Sequence, residues 1–332
     1  MRNNYPLIDL HRHLEGCVRP ATIIDLGKKH KLPLPAWTLE DLDPHIRVTS
    51  PVPDVMSFIA KFELMQWSMV SYDAIRRITF ECIEDASGEG VDYLELRFSP
   101  LFMAEKHKLD LDLVVDAACD GLGEALEALG IQAKLIGIMS RTYGTEACWQ
   151  ELKAVIRGRD RGIVAVDLAG DEIKYPGKQF VEHFRHAQEA GMRITVHAGE
   201  SASAEGVKQA IIELGAERIG HGIRAVEDPA VVDLLLEKAV GVENCPTSNV
   251  QTGIVESYAK HPISHFLRRG VLVTLNTDNC TTSGIDLTSE YETLVRESDL
   301  TDAEMGQLQR NSIEVAFISD DERSELLSKT IR

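Results

Sequence analysis

The chain has 332 residues, with 35 Lys and Arg against 53 Asp and Glu, a formal net charge of −18. With 44% hydrophobic and 27% charged residues it reads as a folded globular protein, and the charge argues against nucleic acid and anionic membrane surfaces as main partners. The expected partner is a small molecule that is not heavily anionic.

Eight short apolar or β-branched runs follow in chain order: 7–14, 93–100, 133–140, 163–170, 193–200, 218–222, 240–249 and 271–278. From the second onward their starts lie 22–40 residues apart, separated by segments with helical apolar spacing such as Leu113–Leu129 and Val231–Lys238. That cadence predicts βα units with parallel strands, and eight of them predict a (β/α)8 TIM barrel of class α/β with extra helices. An open doubly wound sheet is the rival, but no GxGxxG follows the first run. Residues 15–92 form a long helical insertion after strand one, with helices expected around Val55–Trp67 and Tyr72–Ala86. The last stretch, 286–332, reads as helical without a further strand. With no repeat, low-complexity tract or linker, residues 1–332 are read as one barrel domain. Six scattered cysteines without CxxC spacing read as free thiols of a reducing compartment, and neither a leader nor a membrane span is evident, so the expected location is cytoplasmic.

Polar residues gather at the C-terminal ends of these strands, where barrels place their sites. His11 and His13 share one face of strand one, because side chains at i and i+2 of a strand point the same way. Strand five ends His197-Ala-Gly-Glu200, strand six ends Gly220-His221-Gly222, and strand eight ends Asn276-Thr277-Asp278-Asn279. Each residue alone is explained by a core histidine bonded to a carbonyl or an Asp capping a helix. Together, so many ionisable groups in one barrel mouth are costly unless a metal or a reaction uses them. His11, His13, His197 and Asp278 offer N and O ligands suited to zinc with a position left for water, whose pKa zinc lowers to about 7. Glu200 sits where a general acid or base would, and His221 is placed to orient or deprotonate the water.

With these residues in hand, the chain resembles the adenosine deaminase family of the amidohydrolase superfamily. The matching stretches are HRHLEG at 11–16, ELRFSP at 95–100, DLAGDE at 167–172, VHAGE at 196–200, RIGHG at 218–222, PTSN at 246–249 and NTD at 276–278. The resemblance implies a (β/α)8 barrel with one zinc per chain and hydrolytic removal of ammonia from C6 of a purine nucleoside, giving inosine or deoxyinosine. It implies His11, His13, His197 and Asp278 as zinc ligands and Glu200 as the proton donor to purine N1. It further implies His221 and Asp278 holding the attacking water, Gly170 N–H meeting N3, and His13, Glu15 and Asn279 lining the substrate. Strand four ends DLAG with no lysine, so a bridged two-metal centre is not expected. Two departures stand out: Glu15 occupies the place of an Asp linked to the ribose 5′-hydroxyl, and Asn279 that of an Asp facing N7. Free adenine or a 5′-modified adenosine is therefore the alternative substrate, and a non-catalytic zinc barrel the alternative of a different class. The HxE…PCxxC pattern of cytidine-type deaminases is missing. His183 and His186 are read as a solvated helix face, and His30, His45, His107, His261 and His265 as surface. Phe58 and Phe62 are read as core packing or a lid over the purine.

Overall fold

The computed structural model describes residues 5–329, so the ends of the expected terminal segments lie outside the described residues. Eight parallel strands pair in sequence order: β1 (Ile8–His13), β2 (Tyr93–Phe98), β3 (Gln132–Ser140), β4 (Ile163–Ala169), β5 (Arg193–Ala198), β6 (Arg218–His221), β7 (Gly241–Asn244) and β8 (Leu272–Leu275). A further parallel bridge between Arg12 and Asp278 brings the end of β8 onto β1 and closes the ring. It is made by His13 N–H donating to Asp278 O and Asp278 N–H to His11 O, both at 2.7 Å. The architecture is the (β/α)8 barrel expected from the strand cadence. Strand starts fall within one residue of the expected ones; apart from β3, which ends at Ser140 as expected, the ends are shorter, for local reasons. Pro246 lacks the N–H a ladder needs and opens a helix over Pro246–Gln251 instead. Gly170 and Gly199 adopt φ of +113° and +65°, turning the chain out of β4 and β5 at the barrel mouth.

The insertion after β1 carries helices at Pro20–His30, Leu39–Ile46, Val55–Ile59, Glu63–Ser68 and Tyr72–Gly88. The helix expected over 55–67 is broken by a 3-10 turn at Ala60–Phe62. One continuous apolar layer joins the barrel's outer face, its surrounding helices and this insertion, including Phe58 and Phe62. After the helix Asp302–Val315, Phe317 lies against the lower end of the barrel, its ring 3.6 Å below the Arg218 guanidinium. Among the described residues no helix is long and apolar enough to cross a membrane.

Candidate active site

Inside the barrel the inward side chains form a charged column. From Phe317 upward, Arg218 pairs with Glu95 and, at 2.6 Å, with Glu243; Arg97 then bridges Glu243 at 2.7 Å and Asp167 at 2.8 Å. All five charged groups are fully buried. Burial alone would raise the Glu243 carboxyl, but Arg97, Arg218 and His11 hold it well below its ordinary value. Asp167 is likewise held far down against its burial by His197 and Arg97. The top of this column grips two imidazoles by their Nδ1 atoms, His11 through Glu243 at 2.7 Å and His197 through Asp167 at 2.8 Å. A carboxylate on Nδ1 fixes the ring and leaves Nε2 unprotonated toward the barrel mouth.

Those Nε2 atoms converge. His13 Nε2 lies 3.3 Å from both His11 Nε2 and His197 Nε2, and Asp278 Oδ1 lies 3.3 Å from His13 Nε2 and 3.6 Å from His11 Nε2. Asp278 reaches this place because its φ of +65° re-aims the carboxylate after β8. Nitrogens bound 2.0–2.1 Å from one tetrahedral zinc are about 3.3 Å apart, so the spacing fits a cation among them. Burial drives His13 well below and His197 below the ordinary imidazole range, which favours the neutral form a metal requires. For His11, burial and Arg97 push down, but bonds to Asp278 and Glu243 outweigh them and raise it. A second close group, His11, His221 and Cys245, exists. There, burial keeps the Cys245 thiol protonated, well above its ordinary value, so the three-histidine group is the better ion holder.

Beside this group stands Glu200, 3.7 Å from His221 Nε2. Burial, then Asp278 and Glu172, raise its carboxyl well above the usual range, which favours the protonated form. The turn carrying it is pinned by Glu172, whose carboxylate accepts from the N–H groups of Gly199, Glu200, Ser201 and Ala202 at 2.5–3.2 Å. His221, at φ +57°, receives Asn249 Nδ2 on its Nδ1 at 3.0 Å.

These groups open into a cavity of about 330 Å³ lined by His13, Glu15, Gly170, His197, Glu200, His221, Asp278 and Asn279. Its opposite wall is apolar and comes from the insertion: Val55, Met56, Phe58, Ile59 and Phe62. Phe58 and Phe62 thus pack in the core, edge to face at 5.8 Å, and also cover the cavity. The size suits a small molecule. Every candidate residue named from the sequence except His11 lines this cavity, and His11 sits directly beneath. Glu15 is also spoken for structurally: its Oε1 accepts from Ser99 N–H at 2.5 Å, and burial pushes its carboxyl up to about 7. A Cβ at Gly16 would collide with the Asn279 amide, so Asn279 packs closely against the Gly16 backbone.

The family model described as adenosine deaminase matches residues 6–332. The chain belongs to the adenosine deaminase family. An adenosine deaminase of Edwardsiella ictaluri (strain 93-146) is 50% identical over 98% of this chain and 97% of its own length. One of Vibrio parahaemolyticus serotype O3:K6 (strain RIMD 2210633) is 49% identical with the same coverage. A crystal structure of an adenine deaminase from Arthrobacter aurescens superposes with a TM-score of 0.90 at 28% identity, covering 98% of each chain. Membership of the family agrees with the resemblance read from the motifs.

Two expectations about histidines are corrected. His183 is buried, stacked on Trp149 at 4.1 Å with Nε2 2.8 Å from Thr145 O, so an aromatic neighbour and a carbonyl take the place of solvent. His261 is buried too, bonded to Asn249 at 3.0 Å. His107 is half-buried against Trp67 O, while His30, His45, His186 and His265 are exposed as expected. All six cysteines are free thiols. Sequence reasoning gave no role to Asp167, Arg97, Glu243, Glu172 or Asn249. For Arg97, Asp167 and Glu243 the signal was a charged residue inside a strand otherwise fit for a core, as in ELRF, VDLA and GVEN; Glu172 lies in the loop after β4 and Asn249 in the helix after β7.

Proposed function

We propose that this protein hydrolyses adenosine, and 2′-deoxyadenosine, to inosine or deoxyinosine and ammonia, using one zinc per chain held by His11, His13, His197 and Asp278. The observation that carries this reading is the three Nε2 atoms spaced as zinc ligands, with the buried carboxyl of Glu200, whose protonated form is favoured, in the same small-molecule-sized cavity. When bound, zinc supplies Lewis acidity and a water acidic enough to act as a nucleophile at neutral pH. Glu200 gives its proton to purine N1, which withdraws electrons from C6 and readies it for attack. Asp278 and His221 hold the attacking water against C6, the water's protons pass to Glu200 and the amino group, and the C6–N bond breaks to release ammonia. Gly170 N–H meets N3, and Asn279 Nδ2 donates to N7, an acceptor that an amide nitrogen matches without taking up a proton. Glu15 faces the ribose end, where the apolar wall of Phe58 and Phe62 excludes water.

A panel of adenosine, deoxyadenosine, adenine, 5′-substituted adenosines and 7-deazaadenosine tests the assignment by the absorbance change of deamination. Adenosine and deoxyadenosine are expected to react best, with 7-deazaadenosine poor because Asn279 loses its partner. Preference for adenine, or 7-deazaadenosine reacting as well as adenosine, would overturn the substrate reading.

A further inference from the structure

Three hydrogen bonds connect the backbone of the helix Ile263–Arg269 to the imidazole of His221, and the direction of the first determines the others. Ile263 N–H donates to His261 Nδ1 at 3.2 Å, and a main-chain N–H has no capacity to accept. His261 Nδ1 therefore carries the lone pair, and the proton of the ring is on Nε2. Burial lowers the His261 pKa to about 3, so the ring is neutral. The amide atom that meets this Nε2–H, 3.0 Å away, is the carbonyl oxygen Oδ1 of Asn249. The opposite end of the same amide, Nδ2, then faces His221 Nδ1 at 3.0 Å and donates to it. An Nδ1 that accepts leaves the proton of neutral His221 on Nε2, the nitrogen nearest Glu200. Asn244 Nδ2 holds His221 O at 2.5 Å, so the ring is anchored from its backbone as well. His221, Asn249 and His261 are all buried, so water does not compete for these bonds.

We infer that His261 and Asn249 are positioning residues for the reaction: their polarity fixes the proton of His221 on Nε2, so that His221 meets the reacting oxygen as a hydrogen-bond donor. A ring in that state holds an oxygen by donating to it and has no free nitrogen on the cavity side to take a proton from it. Of the two roles open to His221, orienting the water and deprotonating it, the relay selects the first. The inference rests on the proposed reaction for the part His221 plays, but the tautomer itself stands on the hydrogen bonds alone.

The test is multiple-bond 1H–15N NMR of the zinc-loaded protein labelled on histidine nitrogen, with the His221 signals assigned by their loss in His221→Gln. The expected wild-type signature is a protonated Nε2 and an unprotonated Nδ1. In Asn249→Asp the carboxylate can only accept, so the proton should move to Nδ1, and kcat should fall on the order of 10²–10⁴-fold with KM changing far less. His261→Gln keeps a donor toward Asn249 Oδ1 and should keep the Nε2–H signature and most of kcat. His261→Leu removes the donor and should give a mixed signature and roughly a 10-fold lower kcat. A wild-type ring protonated on Nδ1, or Asn249→Asp at full zinc content with unchanged signature and kcat, overturns the relay. If Asn249→Asp does not fold, the wild-type spectrum and the His261 pair still decide. A wild type with the expected signature that leaves adenosine untouched would remove the proposed reaction and leave the relay standing.

Discussion

The two walls of the cavity are built on opposite principles. The barrel side is a charged column in which each group is held by at least one partner: Arg218, Glu243, Arg97 and Asp167 support His11 and His197, and Glu172 supports Glu200. The insertion side is a set of apolar side chains, Val55, Met56, Phe58, Ile59 and Phe62, of which Phe58, Ile59 and Phe62 pack into the core. Directional bonds position atoms to fractions of an ångström, which proton transfer and metal binding need; dispersion contacts tolerate rearrangement, which entry and exit of a substrate need. Damage to the first wall should therefore appear in kcat, stability or metal affinity, and damage to the second in KM.

The largest expected effect is from Glu200→Gln, which retains shape and zinc but cannot supply the proton to N1. Turnover should fall by at least the ~10²–10⁴ that general acid catalysis contributes, read in steady-state assays with zinc content measured in parallel. Near-wild-type turnover would take Glu200 out of the reaction. Next comes Arg97→Met, which leaves Asp167 and Glu243 buried without their shared cation. Breaking such a pair costs about 3–5 kcal/mol, to be read by denaturant unfolding of metal-free protein. Because those carboxylates orient His197 and His11, zinc affinity should also weaken on the order of 10–100-fold.

A third test varies pH and reads the support behind His221. His261 is lowered to about 3 by burial, whereas in the unfolded chain it titrates near its ordinary value of 6.5. Between those values the unfolded state binds the extra proton, so this group's contribution to stability is complete above about pH 6.5 and is lost as pH falls toward 3. His261→Gln should flatten the acid side of the stability–pH curve by up to about 1.4 kcal/mol per pH unit in that window. The same slope in both proteins would show that His261 is already charged or solvated. The smallest effect is expected from Phe62→Leu on the apolar wall. It should raise KM for adenosine a few-fold, leave kcat nearly unchanged and cost about 1 kcal/mol of stability; a kcat loss as large as that of Glu200→Gln would erase the distinction between the walls.

The difference between the walls also explains what the sequence made legible. Strand starts could be read because βα units impose a period, and the histidines and acids at strand ends stood out against apolar runs. Strand ends were less legible, since Pro246 and the left-handed Gly170 and Gly199 decide them through single backbone torsions. The supports beneath His11 and His197 were hidden for a different reason. Arg97, Asp167 and Glu243 lie 70 and 76 residues apart along the chain and acquire meaning only when the barrel closes. His261 looked like a surface residue because nothing local marks it; its partner Asn249 lies twelve residues away across a turn. Phe58 and Phe62 were read as core packing or lid, and the insertion makes them both.

The most direct test of the account is to remove the metal by chelation and titrate zinc back while measuring adenosine deamination. The barrel-side histidines and Asp278 form one site, so activity should be absent without metal, rise linearly and saturate at one zinc per chain. Full activity in the metal-free protein, or saturation only at two ions per chain, would contradict it.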